Sequence, residues 1–301
     1  MRIIDAHQHF WDIGTNYLPW LADKPVTFRY GNYDALKRNY LPSDYRADTA
    51  GFDIAGTVFV ETEWDPRDPL GEVAWVAGLR KREGLPSVMV AQAWLDRPGA
   101  EAVLEAHGRT AFVRGIRHKP RAAKSPDSVE RDASGSMSDP VWRAGYALLA
   151  RNGLSFDLQT PWWHLREAVD LAQSYPETQI ILNHTGLPAD RSLDGLAGWR
   201  AAMKLLAANS NAAVKISGLG LPGRPWRAAD NGPIVRETID IFGVDRCMFA
   251  SNFPVDSLVA DFRTIFGGFQ TIIADLPRAE QEKLFFANAA RIYRIEPVSR
   301  E

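Results

Sequence analysis

Short apolar segments rich in β-branched residues alternate with segments of helical period along almost the whole chain. The predicted strands are residues 3–9, 56–61, 88–94, 112–118, 154–160, 179–185, 213–218 and 247–253. Several of them are apolar almost throughout, which is typical of parallel strands covered by helices on both faces. Eight strands with helical crossovers in 301 residues predict an α/β fold, a single-domain (β/α)8 barrel over residues 1–301, with a doubly wound open sheet as the alternative.

Helix signals lie between these strands. Asp139 and Pro140 supply an N-cap and a first-turn proline, and Asn152-Gly153 ends the helical region that they begin. The other predicted helices are residues 165–174, 199–209 and 234–242. Each of these follows a predicted strand, so the order of elements is the βαβα order that a barrel requires.

Two long segments interrupt this order. Residues 10–50 are rich in aromatic residues and have little periodicity, and we expect this excursion to pack over one mouth of the barrel. Residues 119–138 are polar and contain glycine and serine, which is typical of a mobile lid. Long loops in a compact domain are usually functional or disordered.

The charge balance argues against nucleic acid as a partner, because 35 Lys and Arg residues face 37 Asp and Glu residues. Cys247 is the only cysteine, so no intrachain disulfide is possible. Asp5 and His7 interrupt the N-terminal segment where a signal peptide would be apolar, and no apolar run approaches the roughly 18 residues of a membrane span. We therefore expect a cytoplasmic protein without nucleic-acid or membrane partners, and the sequence indicates no oligomeric state.

His7 and His9 lie two residues apart at the end of the first predicted strand. A strand places such residues on one face, so the two imidazoles can share a ligand. Such a pair can hold a divalent metal or bind a developing oxyanion. The alternative is a pair of histidines in a packed or solvated turn.

Polar residues also follow the other predicted strands. They are Glu61, Glu63, Arg117, His118, Lys119, Gln159, His184, Lys215, Ser217 and Asn252. In a barrel, parallel strands end at the same face, where barrel enzymes place their active sites. We therefore expect these side chains to converge on one pocket, with Glu61, Arg117, His118, Gln159 and Lys215 contacting a substrate.

Five segments together resemble a known family. They are Ile4 to Asp12, Val113 to His118, Ile181 to Gly186, Met248 to Val255 and Asn288 to Tyr293. This set is similar to the amidohydrolase-related lactonase family and spans the chain. The resemblance implies a (β/α)8 barrel that opens lactones with water, in several members without a required metal.

The resemblance also implies roles for individual residues. His7 and His9 match the paired histidines of the family, and His184 matches the histidine of the sixth strand. Arg117 matches an arginine that holds the carboxylate or carbonyl of the substrate. Asn252 departs from the pattern, because most relatives have an aspartate there, and an amide cannot act as a general base.

Because Asn252 replaces the aspartate, the sequence does not identify the general base or decide whether a metal is bound. His184, Glu61 and Asp256 are candidate bases, and Asp256 is otherwise a helix N-cap or an exposed residue. Losing a carboxylate ligand lowers the affinity for a cation. We therefore expect no required cofactor, and at most one weakly held divalent metal such as zinc on His7, His9 and His184.

Two further residues have alternative roles. Trp162 follows Pro161 and is either a platform that stacks on a sugar or a core residue. Lys215 is either an electrophile in the site or, if it is buried and paired with Glu61, a structural residue.

The sequence thus predicts a hydrolase that opens a small polar lactone of the sugar-acid or aromatic-catabolite class. One alternative is a metal-dependent amide hydrolase or decarboxylase of the same superfamily. The other is a barrel that binds a small acid without turnover. Fold alone cannot decide among these alternatives, because barrels support many chemistries.

Overall fold

The computed structural model describes residues 1–23 and 25–296, so the predicted domain extends beyond the described residues at residue 24 and at residues 297–301. Eight parallel strands form one sheet in chain order. They are β1 (Arg2–Gln8), β2 (Asp53–Val60), β3 (Val88–Gln92), β4 (Val113–Arg117), β5 (Ser155–Leu158), β6 (Ile180–Leu182), β7 (Ala212–Ile216) and β8 (Cys247–Phe249). The predicted (β/α)8 fold is confirmed.

Backbone hydrogen bonds bring the first and last strands together at one end of the barrel. The amide of Asn252 donates to the carbonyl of His7 at 2.8 Å, and the amide of His9 donates to the carbonyl of Phe253 at 2.7 Å. These bonds lie just beyond β8, so the residues after that strand close the barrel against β1. They also fix the paired histidines beside the segment that carries Asn252.

Helices cover the outside of the sheet. They are α1 (Pro19–Ala22), α2 (Pro42–Asp48), α3 (Gly71–Glu83), α4 (Ala100–Arg109), α5 (Pro140–Tyr146), α6 (Leu165–Ser174), α7 (Leu193–Ala207), α8 (Ala228–Phe242), α9 (Phe262–Ile272), α10 (Arg278–Glu282) and α11 (Asn288–Ile292). Helix α6 has the predicted bounds. Helix α7 begins six residues before the predicted start because Ser192 caps it, accepting from the amide of Gly195 at 3.1 Å.

The strands bury both of their faces, as the apolar segments predict. In β3, Val88 and Val90 belong to the cluster inside the barrel, whereas Met89 and Ala91 belong to the cluster between sheet and helices. This alternation is the period of two that a strand imposes on its side chains. No helix among the described residues has the length and apolarity needed to cross a bilayer.

The 10–50 segment is held against the barrel by side chains that reach buried polar groups. An antiparallel bridge joins Trp11 and Tyr40. From α2, the hydroxyl of Tyr45 donates to the carboxylate of Asp5 at 2.9 Å, and Ser251 donates to the same carboxylate. Asp5 therefore has the structural hydrogen-bonding role of a buried carboxylate, and it ties the excursion to β1 and to the segment after β8.

The 119–138 segment contacts the turn after β5 through Ala123. The amide of Ala123 donates to Nε2 of His164 at 2.8 Å, and its carbonyl accepts from the indole of Trp163 at 3.0 Å. His164 in turn contacts Glu167 at 2.7 Å. These bonds fix the loop at Ala123, and its mobility stays a prediction.

Candidate active site

A cavity of about 430 Å³ lies at the carboxyl ends of the strands. Its walls come from the ends of six strands and from the aromatic-rich excursion. The lining residues are His9, Trp11, Trp20, Val26, Thr27, Phe28, Arg29, Glu61, Thr62, Glu63, Arg117, Lys119, Gln159, His184, Asn252 and Val255. Eight of the residues predicted to converge on one pocket therefore line this cavity: His9, Glu61, Glu63, Arg117, Lys119, Gln159, His184 and Asn252.

Some of these residues have an unusual backbone conformation. Glu63, His184 and Asn252 have φ angles of 57°, 53° and 57°, in the left-handed region that non-glycine residues rarely adopt. The sharp turns end β6 and β8 earlier than the predicted bounds, because a left-handed residue cannot continue a strand. They direct the side chains of His184 and Asn252 into the cavity.

The paired histidines contact each other. Nε2 of His7 is 3.2 Å from Nε2 of His9, and Nδ1 of His9 is 2.7 Å from the carbonyl of Val60. A carbonyl only accepts, so Nδ1 of His9 carries the proton and its Nε2 has a lone pair. His7 then donates to His9, and the pair directs no N–H group into the cavity. The predicted role of the pair as oxyanion donors does not fit this arrangement.

Burial controls the charge of both rings. His7 is fully buried, and burial followed by the charge of Lys215 lowers its pKa well below the ordinary value. Burial, followed by the charge of Arg117, lowers the pKa of His9 to about 3. Both imidazoles are therefore neutral at pH 7.

The pair would supply two nitrogen ligands to a zinc ion in the tautomer of His7 that carries its proton on Nδ1, an atom without a hydrogen-bond partner among the described residues. The 3.2 Å separation is close to the roughly 3.3 Å between two ligands of a tetrahedral zinc. Within residues 1–23 and 25–296, however, no group of three His, Cys, Asp or Glu side chains is arranged to hold a metal ion. The predicted set of three histidine ligands is not formed, although one nitrogen of His184 has no partner among these residues. A site made of protein ligands alone is incomplete here.

His184 lies between the pair and the cavity. Its Nδ1 is 2.9 Å from the hydroxyl of Ser217, and its ring centroid is 4.7 Å from that of His7. Burial, followed by the charges of Arg29 and Arg117, lowers its pKa well below the ordinary value. At neutral pH it is an uncharged imidazole whose second nitrogen has no protein partner among the described residues.

Asn252 is fixed by a carboxylate behind it. Its Nδ2 donates to Oδ1 of Asp256 at 2.6 Å, and the hydroxyl of Tyr30 donates to the same oxygen at 2.9 Å. Asp256 is buried and lies inside the short helical turn Val255–Leu258, so its alternatives as an exposed residue and as an N-cap are wrong. Burial raises its pKa to about 6, and it lies behind Asn252 instead of lining the cavity. The amide oxygen of Asn252 stays available to the cavity.

Arg117 and Glu61 form a buried ion pair beside the histidines. Nε of Arg117 donates to Glu61, and its other nitrogens donate to Gln159 at 2.9 Å and to the carbonyl of Glu61 at 2.7 Å. The second carboxylate oxygen of Glu61 accepts from the amide of Glu63 at 2.6 Å. Glu61 is therefore fully engaged and does not fit the predicted role of a base, whereas Arg117 is held rigidly at the cavity wall.

Three residues predicted to contact the substrate do not line the cavity: His118, Trp162 and Lys215. His118 lines a neighbouring recess, where its Nδ1 accepts from the amide of Leu95 at 3.1 Å. Trp162 lies edge-on to Trp163 outside the cavity lining and packs, partly buried, against the hydrophobic core. The aromatic wall comes instead from the excursion, where Trp20 and Phe28 stack with a centroid distance of 5.8 Å.

Lys215 is buried below the cavity and does not contact it. Its Nζ is 2.5 Å from Oδ1 of Asp157, and both side chains are fully buried. Its role is therefore structural, although its partner is Asp157 and not Glu61. No motif in the sequence marks Asp157, because β5 carries it in an apolar context.

Arg29 is a second residue that is absent from the sequence predictions. It lies in the aromatic-rich excursion and reaches the cavity, where Nη2 donates to the carbonyl of Gly218. No strand end or spacing marks it in the sequence. The one available signal was the expectation that this segment packs over the barrel mouth.

The fold and the cavity together define a barrel enzyme with the polar groups of a hydrolytic site. The chain belongs to the amidohydrolase family, whose sequence profile matches residues 4–295. An uncharacterized protein of Sinorhizobium fredii is 40% identical over 295 residues, which cover 98% of this chain and 99% of that relative.

Characterised relatives and solved structures agree with this membership. The L-fucono-1,5-lactonase of Burkholderia ambifaria is 28% identical over 302 residues, covering 97% of this chain and 96% of that protein. The crystal structure of an amidohydrolase from Burkholderia multivorans with bound zinc has a TM-score of 0.80 and 27% identity, covering 98% of this chain and 100% of that one. Family and relatives support a hydrolase, and the zinc belongs to that relative.

Proposed function

We propose that this protein is a lactonase, which opens a small polar lactone of the sugar-acid or aromatic-catabolite class with water. The observation that carries the proposal is that a neutral imidazole, an amide oxygen and a rigid guanidinium line one cavity of single-ring size, in His184, Asn252 and Arg117. The similarity to lactonases supports the reaction class.

The attacking water is oriented by Asn252. Because Nδ2 of Asn252 donates to Asp256, its Oδ1 accepts a hydrogen bond from the water. His184 takes the proton at Nε2, in the tautomer whose Nδ1–H donates to Ser217. Asp256 and Ser217 are positioning residues, since each fixes a group that contacts the water.

Arg117 binds the oxyanion that forms when water adds to the lactone carbonyl. Three hydrogen bonds to Glu61 and Gln159 hold its guanidinium, so its remaining N–H groups are preorganised. Collapse of the tetrahedral intermediate then breaks the bond between the acyl carbon and the ring oxygen. The proton held by His184 passes to the leaving alkoxide, which leaves the imidazole neutral again.

The test is a screen of sugar-acid and aromatic-derived lactones by a pH-indicator assay, followed by His184→Gln. We expect this variant to lower kcat/KM by about a hundredfold or more, the scale of a removed acid–base group. The matched control is His107→Gln, because His107 is also a buried histidine but contacts the carbonyl of Gln92 and does not line the cavity. Circular dichroism checks the folding of both variants.

Two results would contradict the proposal. One is that the wild-type protein hydrolyses no lactone of the panel. The other is activity that disappears after dialysis against a chelator and returns only with zinc or manganese, which would favour the metal-dependent alternative.

A further inference from the structure

Counted over its lining residues, the cavity has one more cationic group than carboxylates. Its charged lining residues are Arg29, Arg117, Lys119, Glu61 and Glu63. Glu61 pairs with Arg117, and Glu63 pairs with Lys119. Among the residues that the structure describes, no carboxylate lies within 4.0 Å of the guanidinium of Arg29. The buried carboxylate of Asp256, behind Asn252, acts on the charge of Arg29 without forming an ion pair with it.

The guanidinium of Arg29 is held in place but incompletely bonded. Its Nη2 donates to the carbonyl of Gly218, and its Cζ lies 4.7 Å from the centroid of the Tyr30 ring. Its Nη1 is buried and has no hydrogen-bond partner in the described structure. A buried charged donor without a partner is costly, so this atom is suited to a ligand acceptor.

The backbone is shaped to let Arg29 approach the reacting groups. Gly218 has a φ of +60°, and a Cβ atom there would lie 2.8 Å from both Nη1 of Arg29 and Nδ1 of His184. Any larger residue would therefore push the guanidinium and the imidazole apart. The glycine places the unpartnered N–H groups beside the residue that takes the proton from water.

We propose that Arg29 binds a carboxylate on the substrate, so that the natural substrate is a lactone that carries a carboxylate of its own. This inference rests on the proposed lactonase function. An anionic oxygen supplies the acceptor that Nη1 lacks, and a guanidinium binds a carboxylate with two parallel hydrogen bonds. Arg117 keeps its role of binding the oxyanion, because its charge is already neutralised by Glu61. The product is then a diacid.

The test compares two lactones of the same ring size, the monolactone of glucaric acid and the lactone of gluconic acid, which differ by a carboxylate in place of a hydroxymethyl group. We expect the wild-type protein to prefer the anionic lactone by at least about tenfold in kcat/KM. Arg29→Met should reduce this preference ratio by about tenfold to a hundredfold, mainly through KM, as expected for a lost charge-assisted hydrogen bond. Arg29→Lys keeps the charge and should retain part of the preference.

Arg97→Met is the matched control. Arg97 also lies over an aromatic ring, 4.3 Å from the centroid of Trp94, but it lines the neighbouring recess and not the main cavity. This variant removes the same charge and should leave the preference ratio unchanged. A comparable loss in both variants would overturn the inference, because it would then be a general charge effect.

The remaining outcomes separate this inference from the proposed function. A wild-type preference for the neutral lactone, or equal loss of kcat for both lactones in Arg29→Met, would overturn the role of Arg29 and leave the lactonase proposal standing. If neither lactone is hydrolysed, titration calorimetry with glucarate and gluconate tests Arg29 alone. Binding of both acids that Arg29→Met weakens and Arg97→Met does not supports the inference, and binding that Arg29→Met leaves unchanged overturns it.

Discussion

Asn252 determines how the residues around it can work. A carboxylate at this position would contact Asp256 directly, because the amide nitrogen is 2.6 Å from Oδ1 of that residue. The amide instead donates to Asp256 and leaves its oxygen free for the cavity. The departure from the family pattern therefore matches a buried carboxylate four residues later, which takes no direct part at the cavity wall.

Replacing Asn252 by aspartate should impair the protein. Two carboxylates in contact cannot both ionise without a penalty, and two unit charges about 4 Å apart repel by roughly 4 kcal/mol at an effective dielectric of about 20. We expect Asn252→Asp to lower kcat/KM by about tenfold or more on the best lactone. Its melting temperature should fall more at pH 8 than at pH 5, where one carboxyl is protonated.

Asn32→Asp is the control for that substitution. Asn32 also donates to a nearby carboxylate, that of Asp34 at 3.2 Å, but this pair is exposed and away from the cavity. Solvent screens its charges, so activity and melting temperature should change little. If Asn252→Asp instead hydrolyses the lactone faster at neutral pH, the roles given to Asn252 and His184 are wrong.

Strands and the C-terminal helical segment meet at a buried polar cluster below the cavity. Asp157 of β5 pairs with Lys215 of β7 and accepts from Tyr293, which follows α11. It also accepts from Asn183, which follows β6, at 2.9 Å. One carboxylate thus connects three neighbouring strand segments to the end of the chain that packs under the barrel.

Asp157→Asn should destabilise the fold. Burial lowers the pKa of Lys215, and removing the partner of a buried charge typically costs about 3 to 5 kcal/mol. The double variant Asp157→Asn with Lys215→Met removes both charges and should recover a large part of this loss. Urea denaturation measures the free energy of unfolding in each case. A single variant that loses less than about 1 kcal/mol would show that the ion pair does not hold these elements together.

The stability of the whole molecule should depend on pH through Asp256. Burial raises its folded pKa from 3.8 to about 6, and Arg29 is the charged group that opposes this shift. The folded state therefore binds a proton more tightly than the unfolded chain, so stability falls as pH rises from about 4 to 6 and stays reduced above. Relative to wild type, Asp256→Asn should gain up to about 3 kcal/mol between pH 4 and pH 8.

Asp139→Asn provides a control of opposite sign. Hydrogen bonds from the backbone amides of Gly135 and Val141 lower the pKa of Asp139, so its ionised form stabilises the fold above its unfolded pKa. This contribution is lost as pH falls. Asp139→Asn should therefore lower the melting temperature more at pH 8 than at low pH. Thermal melts across this range give both trends. A stability difference between Asp256→Asn and wild type that does not change with pH would refute the linkage.

The sequence by itself determined the barrel and the position of several polar residues at the ends of its strands. Apolar segments of strand period can bury both faces only in a sheet covered by helices, and parallel strands must end at one face. His9, Arg117, His184 and Asn252 therefore meet because of their positions at strand ends.

Only the tertiary structure decided how these residues are partnered. Hydrogen-bond partners such as Val60 for His9, Ser217 for His184 and Asp256 for Asn252 set tautomer, orientation and charge. The arrival of Arg29 from the excursion is of the same kind, since no local spacing encodes it. Local periodicity follows from backbone geometry and can be read along the chain, whereas side-chain partners depend on distances between segments that only folding brings together.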